Sequence, residues 1–354
     1  MKKIIVILIV LAVLIVAPIM WYNISISPVG TSDSPISIKI ERGSSPGKIA
    51  SILKKNDVIK SELAFNIYVR INNVEGFQFG RYELNQSMEI DEIIEKLQVP
   101  GVSDEEEISI TFIEGKTMRW MAKRIAEKTN NTEQDVFDLL KDEKYINSLI
   151  EKYWFLTDDI KNKDIYYPLE GYLFPDTYRF RNRNVTVKEI FETLLKQTDK
   201  VLTRHKDKIE KSEYDVHQLI TIASIVEQEA MRNEDRKNVA SVMYNRLEEK
   251  MSLGSCVTTY YAIKVEIGER DLYSKDLNMA NPYNTRGPNM NGKLPVGPIC
   301  GVSEKSLEAT LEPSNTQYLY FVSDKNGKLY FTRTLAEHNS KVSEIKASDM
   351  WYEF

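Results

Sequence analysis

The stretch Leu219-Ile220-Thr221-Ile222-Ala223-Ser224-Ile225-Val226-Glu227-Gln228-Glu229 decides how this chain is interpreted. Its first eight residues are apolar or small on nearly every face, which is typical of a helix buried on all sides. Glu227 follows directly, so we expect a carboxyl group with apolar neighbours. Poor hydration disfavours the charged form and raises the pKa of such a group. A carboxylic acid still protonated near neutral pH can give a proton to a leaving group.

The boundaries of this helix can also be predicted. Asp215 with Gln218 three residues later resembles a capping box, which places the start of the helix there. At the other end an alternative stays open, because Glu-Gln-Glu is also what a helix shows where it meets water, and most glutamates are solvated. Asn233 begins a second helix, so we expect the first to end before it.

Composition bounds the class of protein. With 354 residues the chain can hold two domains and a sizeable core. A formal net charge of −5, without a basic stripe carrying interleaved aromatic residues, argues against a nucleic-acid-binding protein. Charged residues make up 28%, which is ordinary for a soluble globular domain.

The N-terminus differs from the rest. Lys2-Lys3 precede an unbroken apolar run over 4–20, and Trp21-Tyr22 follow it. At about 1.5 Å per residue this run nearly crosses a hydrocarbon core of roughly 30 Å. The lysines and the aromatic pair predict a cytoplasmic tip at 1–3, a transmembrane anchor at 4–22, and the bulk of the chain outside the cytoplasm. A cleaved signal peptide is the alternative, but no small-x-small cleavage site follows the run.

The sequence does not determine the redox state of its two cysteines, Cys256 and Cys300. Outside the cytoplasm they could form one disulfide, and free buried thiols are an equal alternative. No cysteine cluster or spaced histidine pair indicates a metal site, and no P-loop is present. We therefore expect neither a metal nor a cofactor.

A small domain is predicted over 36–100, after a Ser, Pro and Gly-containing linker at 23–35. Its pattern is strand, two helices, strand, helix. The strands are predicted at 36–40 and 81–84, and the helices at 46 onward, 62–71 and 90–97.

A larger domain is predicted over 101–354. A strand is predicted at 108–113, and the helices before the buried helix are predicted near 117–128, 132–141 and 187–210. Asn326-Gly327 predicts a hairpin between 318–322 and 328–332. Strands and helices without regular alternation indicate an α+β fold. Residues 281–301 hold four Pro and four Gly, and a long irregular connection inside a compact domain is usually functional.

Two sequence patterns could supply a catalytic nucleophile or a pair of catalytic acids, and each is compared with an ordinary structural role. Gly43-Ser44-Ser45-Pro46-Gly47 matches the G-x-S-x-G pattern of serine hydrolases, but Ser45 before Pro46 is also a good helix N-cap. Glu227 and Glu229 are two apart on one helix, so their side chains point about 200° apart. They cannot form the facing carboxylate pair of ordinary glycosidases, and a reaction that uses a single acid is favoured.

Six blocks of the sequence, in this order, resemble the endolytic murein transglycosylase family, also called YceG-like. The blocks are Leu169–Tyr178, Ala223–Glu229, Val239–Leu247, Pro282–Thr285, Leu294–Ile299, and Tyr318–Val322 with His338-Asn339. The resemblance covers nearly the whole chain. It departs at Cys256, where many members have Asp, and at Cys300-Gly301-Val302, where many have Asn-Pro-Gly.

The resemblance implies a function. Its members cut peptidoglycan strands internally between N-acetylmuramic acid and N-acetylglucosamine, leave 1,6-anhydro ends, and carry a LysM-like small domain, which would correspond to 36–100. The family's essential glutamate falls on Glu227, and we expect Glu170, Tyr283 and Asn284 to contact the substrate. Expected partners are glycan strands, the membrane and cell-wall synthases.

Three other functions remain to be compared with it. A non-catalytic peptidoglycan-binding scaffold of the wall-synthesis machinery is the main alternative, and it has no use for a poorly solvated acid. A hydrolase that uses water as nucleophile is the second, and a serine hydrolase built on Ser45 is the third.

Overall fold

The computed structural model describes residues 14, 16–101 and 107–351. The chain divides into two compact units, Met1–Glu106 and Glu107–Phe354. Helices and small two-stranded antiparallel sheets make up both units, which confirms the predicted α+β class.

The predicted membrane anchor at 4–22 lies largely outside the described residues. Residues 16–26 are helical. Within the part of the chain that the structure describes, no helix has both the length and the apolar character needed to cross a membrane. The anchor therefore stays a prediction.

The first unit has the predicted element order. Strand β1 (Ile36–Ile40) pairs antiparallel with β2 (Gly80–Leu84), with Ile38 opposite Tyr82. Alternate residues of both strands are buried, which is the period-2 pattern that predicted them. The helices are α1 (Pro46–Lys55), α2 (Glu62–Ile71) and α3 (Ile90–Gln98).

Ser45 has a structural task in this unit. It is the N-cap of α1, and its hydroxyl oxygen accepts a hydrogen bond from the Lys48 backbone N–H at 3.3 Å. Pro46 occupies the first helical position, as the sequence predicts. Ser45 therefore acts as an ordinary helix cap, which removes the support for the serine-hydrolase hypothesis.

The second unit is mainly helical. Its strands form two separate pairs, β3 with β4 and β5 with β6, and the second pair is the predicted hairpin. In chain order the elements are β3 (Ile108–Thr111), α4 (Met118–Lys128), α5 (Glu133–Lys141), α6 (Glu143–Lys152), a 3₁₀ turn (Asp158–Lys161), β4 (Thr177–Phe180), α7 (Val187–Arg204), α8 (Lys206–Glu210), α9 (Val216–Glu229), α10 (Asn233–Glu248), α11 (Cys256–Ala262), α12 (Ser274–Leu277), α13 (Glu304–Leu311), β5 (Tyr320–Ser323), β6 (Leu329–Thr332) and α14 (Leu335–Ala347).

Several elements differ from the prediction, because β4, α11, α12 and α13 have no counterpart in it. The helix expected over 187–210 is divided at His205 into α7 and α8. Helix α6 was not predicted. It begins at the same aspartate that ends α5, Asp142, whose side chain accepts hydrogen bonds from the next backbone N–H groups. One residue serves both helices, so no loop separates them.

Helix α9 is the predicted buried helix. Every residue from Leu219 to Val226 is buried, and the Asp215–Gln218 capping box is present. Leu219, Ile220 and Ala223 belong to one hydrophobic cluster, and Ile222, Ile225 and Val226 to another. The helix thus separates two cores, which explains why no face of it is polar.

We expect Leu219→Ala to destabilise the second unit by about 2–5 kcal/mol, because the side chain is 1% exposed and its removal leaves a cavity between packed neighbours. Denaturant unfolding followed by circular dichroism measures the change. Leu335→Ala removes the same atoms at a position that is 54% exposed and should change stability by under 1 kcal/mol. Equal effects of the two substitutions would contradict the buried position of α9.

Candidate active site

Glu227 lies in the last turn of α9, and its side chain is only 5% exposed. The sequence predicts this burial, but the surroundings are not purely apolar. The Arg236 guanidinium lies 2.9 Å from Oε2 of Glu227, and the Arg236 side chain is itself 10% exposed. A buried ion pair of this kind holds the carboxylate in one orientation, because leaving either charge alone would be costly.

A second set of donors comes from Ser303, the N-cap of α13. Its backbone N–H donates to Oε2 of Glu227 at 2.9 Å, and its hydroxyl donates to the same oxygen at 2.5 Å. The Glu227 carboxylate therefore lies at the N-terminus of a helix, where unpaired N–H groups and the helix dipole favour an anion.

Arg236 also connects to α13. Its Nη1 lies 3.1 Å from the Ser303 hydroxyl oxygen and donates to the hydroxyl of Ser306. Both serines are buried. The guanidinium, the two hydroxyls and the Glu227 carboxylate form one hydrogen-bonded group that ties α9, α10 and α13 together.

All of these contacts fall on one oxygen of the carboxylate. Among the described residues, none donates a hydrogen bond to Oε1 of Glu227. A carboxyl group fixed through one oxygen leaves the other available to exchange a proton with a bound molecule.

Two backbone segments enclose this end of α9. Gly115 N–H donates to the Gly301 carbonyl, and Gly301 N–H donates to the Lys116 carbonyl, both at 2.9 Å. Gly115 has φ +71°, and a Cβ there would lie 3.2 Å from the Gln228 carboxamide nitrogen and 3.8 Å from Cγ of Glu227. Glycine therefore lets the first segment approach the site closely.

The neighbouring glutamate is held elsewhere. Glu229 accepts a hydrogen bond from the Ser255 hydroxyl at 2.5 Å, on a different loop from Ser303. Burial raises the pKa of Glu229, and the Ser255 hydrogen bond and the charges of Arg286 and Arg246 oppose this rise. Glu227 and Glu229 have separate partners, as their spacing on the helix predicts.

Glu170 lies inside the protein, with 1% of its surface exposed. Its carboxylate accepts from the Met118 backbone N–H at 2.9 and 3.0 Å and from the Tyr261 hydroxyl at 2.9 Å. Met118 is the first residue of α4, so Glu170 caps that helix from a distant loop. Burial raises the pKa of Glu170 to about 7, against the lowering effect of these hydrogen bonds.

Tyr283 and Asn284 are fully buried as well. The Tyr283 ring packs against those of Tyr166 and Tyr261, with centroids 4.8 and 4.7 Å away. The Asn284 carboxamide donates to three backbone carbonyls at 2.8–3.2 Å and accepts from the Thr259 hydroxyl at 2.7 Å. With Glu170, these residues hold the framework of the site together, and their contact with a substrate stays a prediction.

Comparison with known proteins identifies the family of this chain. The sequence matches the YceG-like family over residues 38–344. This chain belongs to the YceG-like family. It is 43% identical over 309 residues to the endolytic murein transglycosylase of Bacillus subtilis (strain 168), covering 87% of this chain and 84% of that protein. The resemblance inferred from the six sequence blocks is thereby confirmed.

Two further proteins are also similar to this chain. The endolytic murein transglycosylase of Streptococcus pneumoniae serotype 2 (strain D39) is 30% identical over 324 residues, which span 87% of this chain and 58% of the pneumococcal protein. The crystal structure of a YceG-like protein from Listeria monocytogenes is 36% identical with a TM-score of 0.62, and the match covers 88% of this chain and all of that one.

Arg236 and Ser303 are the site residues that the sequence analysis missed in this YceG-like protein. A signal for Arg236 exists, because a cation near the start of α10 opposes the helix dipole and so needs a partner from elsewhere. Ser303 is recognisable as a helix N-cap, but its contact with Glu227 spans 76 positions and no local pattern records it.

Other polar residues have structural roles. The Asn245 carboxamide donates to the carbonyls of Thr316 and Tyr318, and Arg246 donates to those of Leu319, Ser252 and Leu253. The contacts with Thr316, Tyr318 and Leu319 join α10 to the segment before β5, and those with Ser252 and Leu253 hold the loop that follows α10. Both cysteines are free, with Cys256 exposed and Cys300 buried.

One group of side chains has a composition suited to a metal ion. The ligand atoms of His205, Glu304 and Glu308 lie within 4.8 Å of one another. The Arg204 guanidinium already forms two hydrogen bonds of 2.7 Å with the Glu304 carboxylate. The Glu304 carboxylate is therefore shared between Arg204 and His205, whose Nε2 lies 2.9 Å from Oε1 of Glu304.

Glu170 makes stability depend on pH. Between the ordinary pKa of 4.5 and about 7, the folded protein keeps a proton on Glu170 that the unfolded chain releases. Stability should therefore fall as pH rises through this window, by up to about 1.4 kcal/mol per pH unit from this group.

The variant Glu170→Gln keeps a neutral acceptor in the same place and should lose this contribution. Urea unfolding of the parent protein and the variant at pH 5 and pH 8 measures it. The stability difference between them should shift in favour of the variant at pH 8, and an unchanged difference would contradict the assignment.

Proposed function

We propose that this protein is an endolytic murein transglycosylase, which cleaves peptidoglycan glycan strands internally with Glu227 as its catalytic acid and base. The observation that carries the proposal is the buried Glu227 carboxyl group, fixed through one oxygen by Arg236 and Ser303 and free at the other. The named relatives of this chain support the same reaction class.

The first step needs an acid. In its protonated form, Glu227 gives the Oε1 proton to the glycosidic oxygen between N-acetylmuramic acid and N-acetylglucosamine, and the bond from that oxygen to C1 breaks. The leaving sugar departs as an alcohol, and positive charge develops at C1 and the ring oxygen. The Glu227 carboxylate that remains beside the sugar stabilises this charge.

The second step needs a base. The C6 hydroxyl of the muramoyl sugar attacks C1, and its proton passes to the Glu227 carboxylate, which restores the acid. The product is a 1,6-anhydro end, and no water enters the balance. Arg236 and Ser303 stabilise the carboxylate between the two steps, because their donors point at Oε2.

A single carboxyl group is sufficient for this scheme. Glu229 is held by Ser255 on another loop, so it is not arranged to activate a water molecule opposite Glu227. Hydrolysis through two carboxylates would require a pair about 5–9.5 Å apart flanking the scissile bond. The geometry therefore favours the lytic reaction over the hydrolytic one.

The location of the reaction is part of the proposal. The apolar run at 4–20 anchors the protein in the cell membrane, with the bulk of the chain outside the cytoplasm. The first unit is a LysM-like binder of glycan, and the cleaved strands are nascent ones, so that cleavage ends their polymerisation close to the cell-wall synthases.

The Glu227→Gln variant should lose cleavage by at least about 1,000-fold, because a carboxamide neither donates the required proton nor takes one up. Purified peptidoglycan is digested with the full-length protein in detergent, and the ends are identified by mass spectrometry. Glu229→Gln is the matched control and should keep most activity.

The products separate the possible outcomes. Anhydro-muramoyl ends that disappear with Glu227→Gln support the lytic reaction. Reducing ends would make the protein a hydrolase, and absence of cleavage by folded protein would favour a scaffold.

Arg236 is expected to act through Glu227. Arg236→Gln should slow cleavage by about 10- to 100-fold, the effect of losing a hydrogen bond to a charged group, and Arg236→Lys should restore part of the rate. Arg204→Gln removes a guanidinium from an exposed pair with Glu304 and should leave the rate within about twofold. Initial rates on the same substrate measure all three variants, and equal rates for Arg204→Gln and Arg236→Gln would count against this role.

A further inference from the structure

The N-terminal helix, which ends at Ile26, is attached to the first unit by direct contacts. Ile26 packs against the hydrophobic core of the unit, and the Lys60 ammonium donates to the Ser27 hydroxyl oxygen at 2.8 Å. Shortly afterwards the Gly30 backbone N–H donates to the backbone carbonyl of Gln86 at 3.0 Å. The direction of this helix therefore determines how the first unit is oriented.

Helix α2 runs back along the N-terminal helix. Lys60, just before α2, contacts Ser27 at the end of the N-terminal helix. Tyr68, further along α2, is close to Tyr22, since its pKa is raised to about 12 by its hydrogen bond to Asp91, by burial, by the Asp91 charge and by the Tyr22 hydroxyl. The path along α2 thus follows the N-terminal helix from Ser27 back to Tyr22, and the C-terminal end of α2 points toward the apolar run.

Large apolar side chains are exposed at this end of the unit. Ile71, the last residue of α2, is 65% exposed, and Val99, directly after α3, is 63% exposed. Phe79, directly before β2, is 38% exposed. The Gln98 carboxamide donates to the Glu75 carbonyl at 2.8 Å, so the end of α3 lies beside the loop that joins α2 to β2. We call the surface formed by Ile71, Phe79 and Val99 the apolar end.

The charges around the apolar end suit a phospholipid surface. The Arg42 guanidinium lies over the Phe79 ring, 4.5 Å from its centroid, and Arg70 directly precedes Ile71. An arginine can cover apolar surface with its stem while its guanidinium pairs with a lipid phosphate. Glu75 is the one acidic residue in the loop over 72–79. Apolar side chains flanked by cations are typical of protein surfaces that lie in the membrane interface.

We propose that the apolar end of the first unit docks on the lipid bilayer beside the anchor, with Ile71, Phe79 and Val99 in the interfacial layer. The inference rests on the membrane anchor of the proposed function and goes beyond it, because an anchor alone would leave the unit free to tilt. Attachment to the anchor makes the docking intramolecular, so a few side chains are enough although they would not bind a membrane by themselves.

The experiment measures how deeply single positions enter the membrane. Full-length protein with Cys256→Ser, which removes the exposed thiol, receives the substitution Ile71→Cys and is labelled there with the fluorophore NBD. The labelled protein is reconstituted into vesicles of phosphatidylcholine and phosphatidylglycerol, with and without nitroxide groups on the acyl chains. The nitroxide lipid should quench this label at least about twofold, because interfacial side chains reach roughly 5–10 Å into the boundary between headgroups and acyl chains.

Leu63→Cys, labelled in the same way, is the matched control. Leu63 is 60% exposed on the same helix, but it lies about 12 Å before Ile71 along the axis of α2. Its label should keep nearly all of its intensity. Val99→Cys provides a second position of the apolar end if the Ile71→Cys variant does not fold, as judged by circular dichroism.

Quenching at Ile71 and Val99 but not at Leu63 supports the inference. Equal quenching at all three positions, or no quenching in protein that floats with the vesicles, overturns it and leaves the anchor and the cleavage reaction standing. Emission that shifts to shorter wavelength without nitroxide quenching would mean that protein, such as a second copy of this chain, covers the apolar end, and it would also overturn the inference. Protein that does not float with the vesicles would instead reject the anchor, and the docking with it.

Discussion

A carboxylate at the end of a helix with no solvent-facing side must find its donors within the protein, and this constraint organises the second unit. Helix α9 lies between two hydrophobic cores, so water cannot stabilise Glu227 from the helix surface. Arg236 from α10 and Ser303 at the start of α13 supply the donors. The three helices are consequently fixed around a single oxygen atom.

The backbone around this group is supported by buried polar residues rather than by regular sheet. Asn284 satisfies three carbonyls at the end of α12 and just after it, and Glu170 caps α4 from a loop far away in sequence. Such residues replace the hydrogen bonds that strands or helices would otherwise supply. The long connection over 281–301 can therefore be irregular and still hold a defined shape.

The sequence predicts this fold best where the information is local. The continuous apolar run and the capping residues identify α9, and Asn326-Gly327 identifies the hairpin. The burial of polar residues in loops is harder to predict from sequence. Asn284, for example, is of a residue type that is usually exposed, but it lies in the core. The contact between Glu227 and Ser303 depends on tertiary packing, so no periodicity could have indicated it.

The free thiol of Cys300 gives this protein a built-in reporter of local opening. It is buried, it donates to the Ser224 carbonyl at 3.4 Å, and burial raises its pKa well above the ordinary value. Alkylating reagents require an accessible thiolate, so they can modify Cys300 only when the segment carrying it separates from α9. The exposed Cys256 would react without that separation, so its labelling rate is the internal reference. The ratio of the two labelling rates therefore measures how often the segment that carries Cys300 separates from α9 next to Glu227.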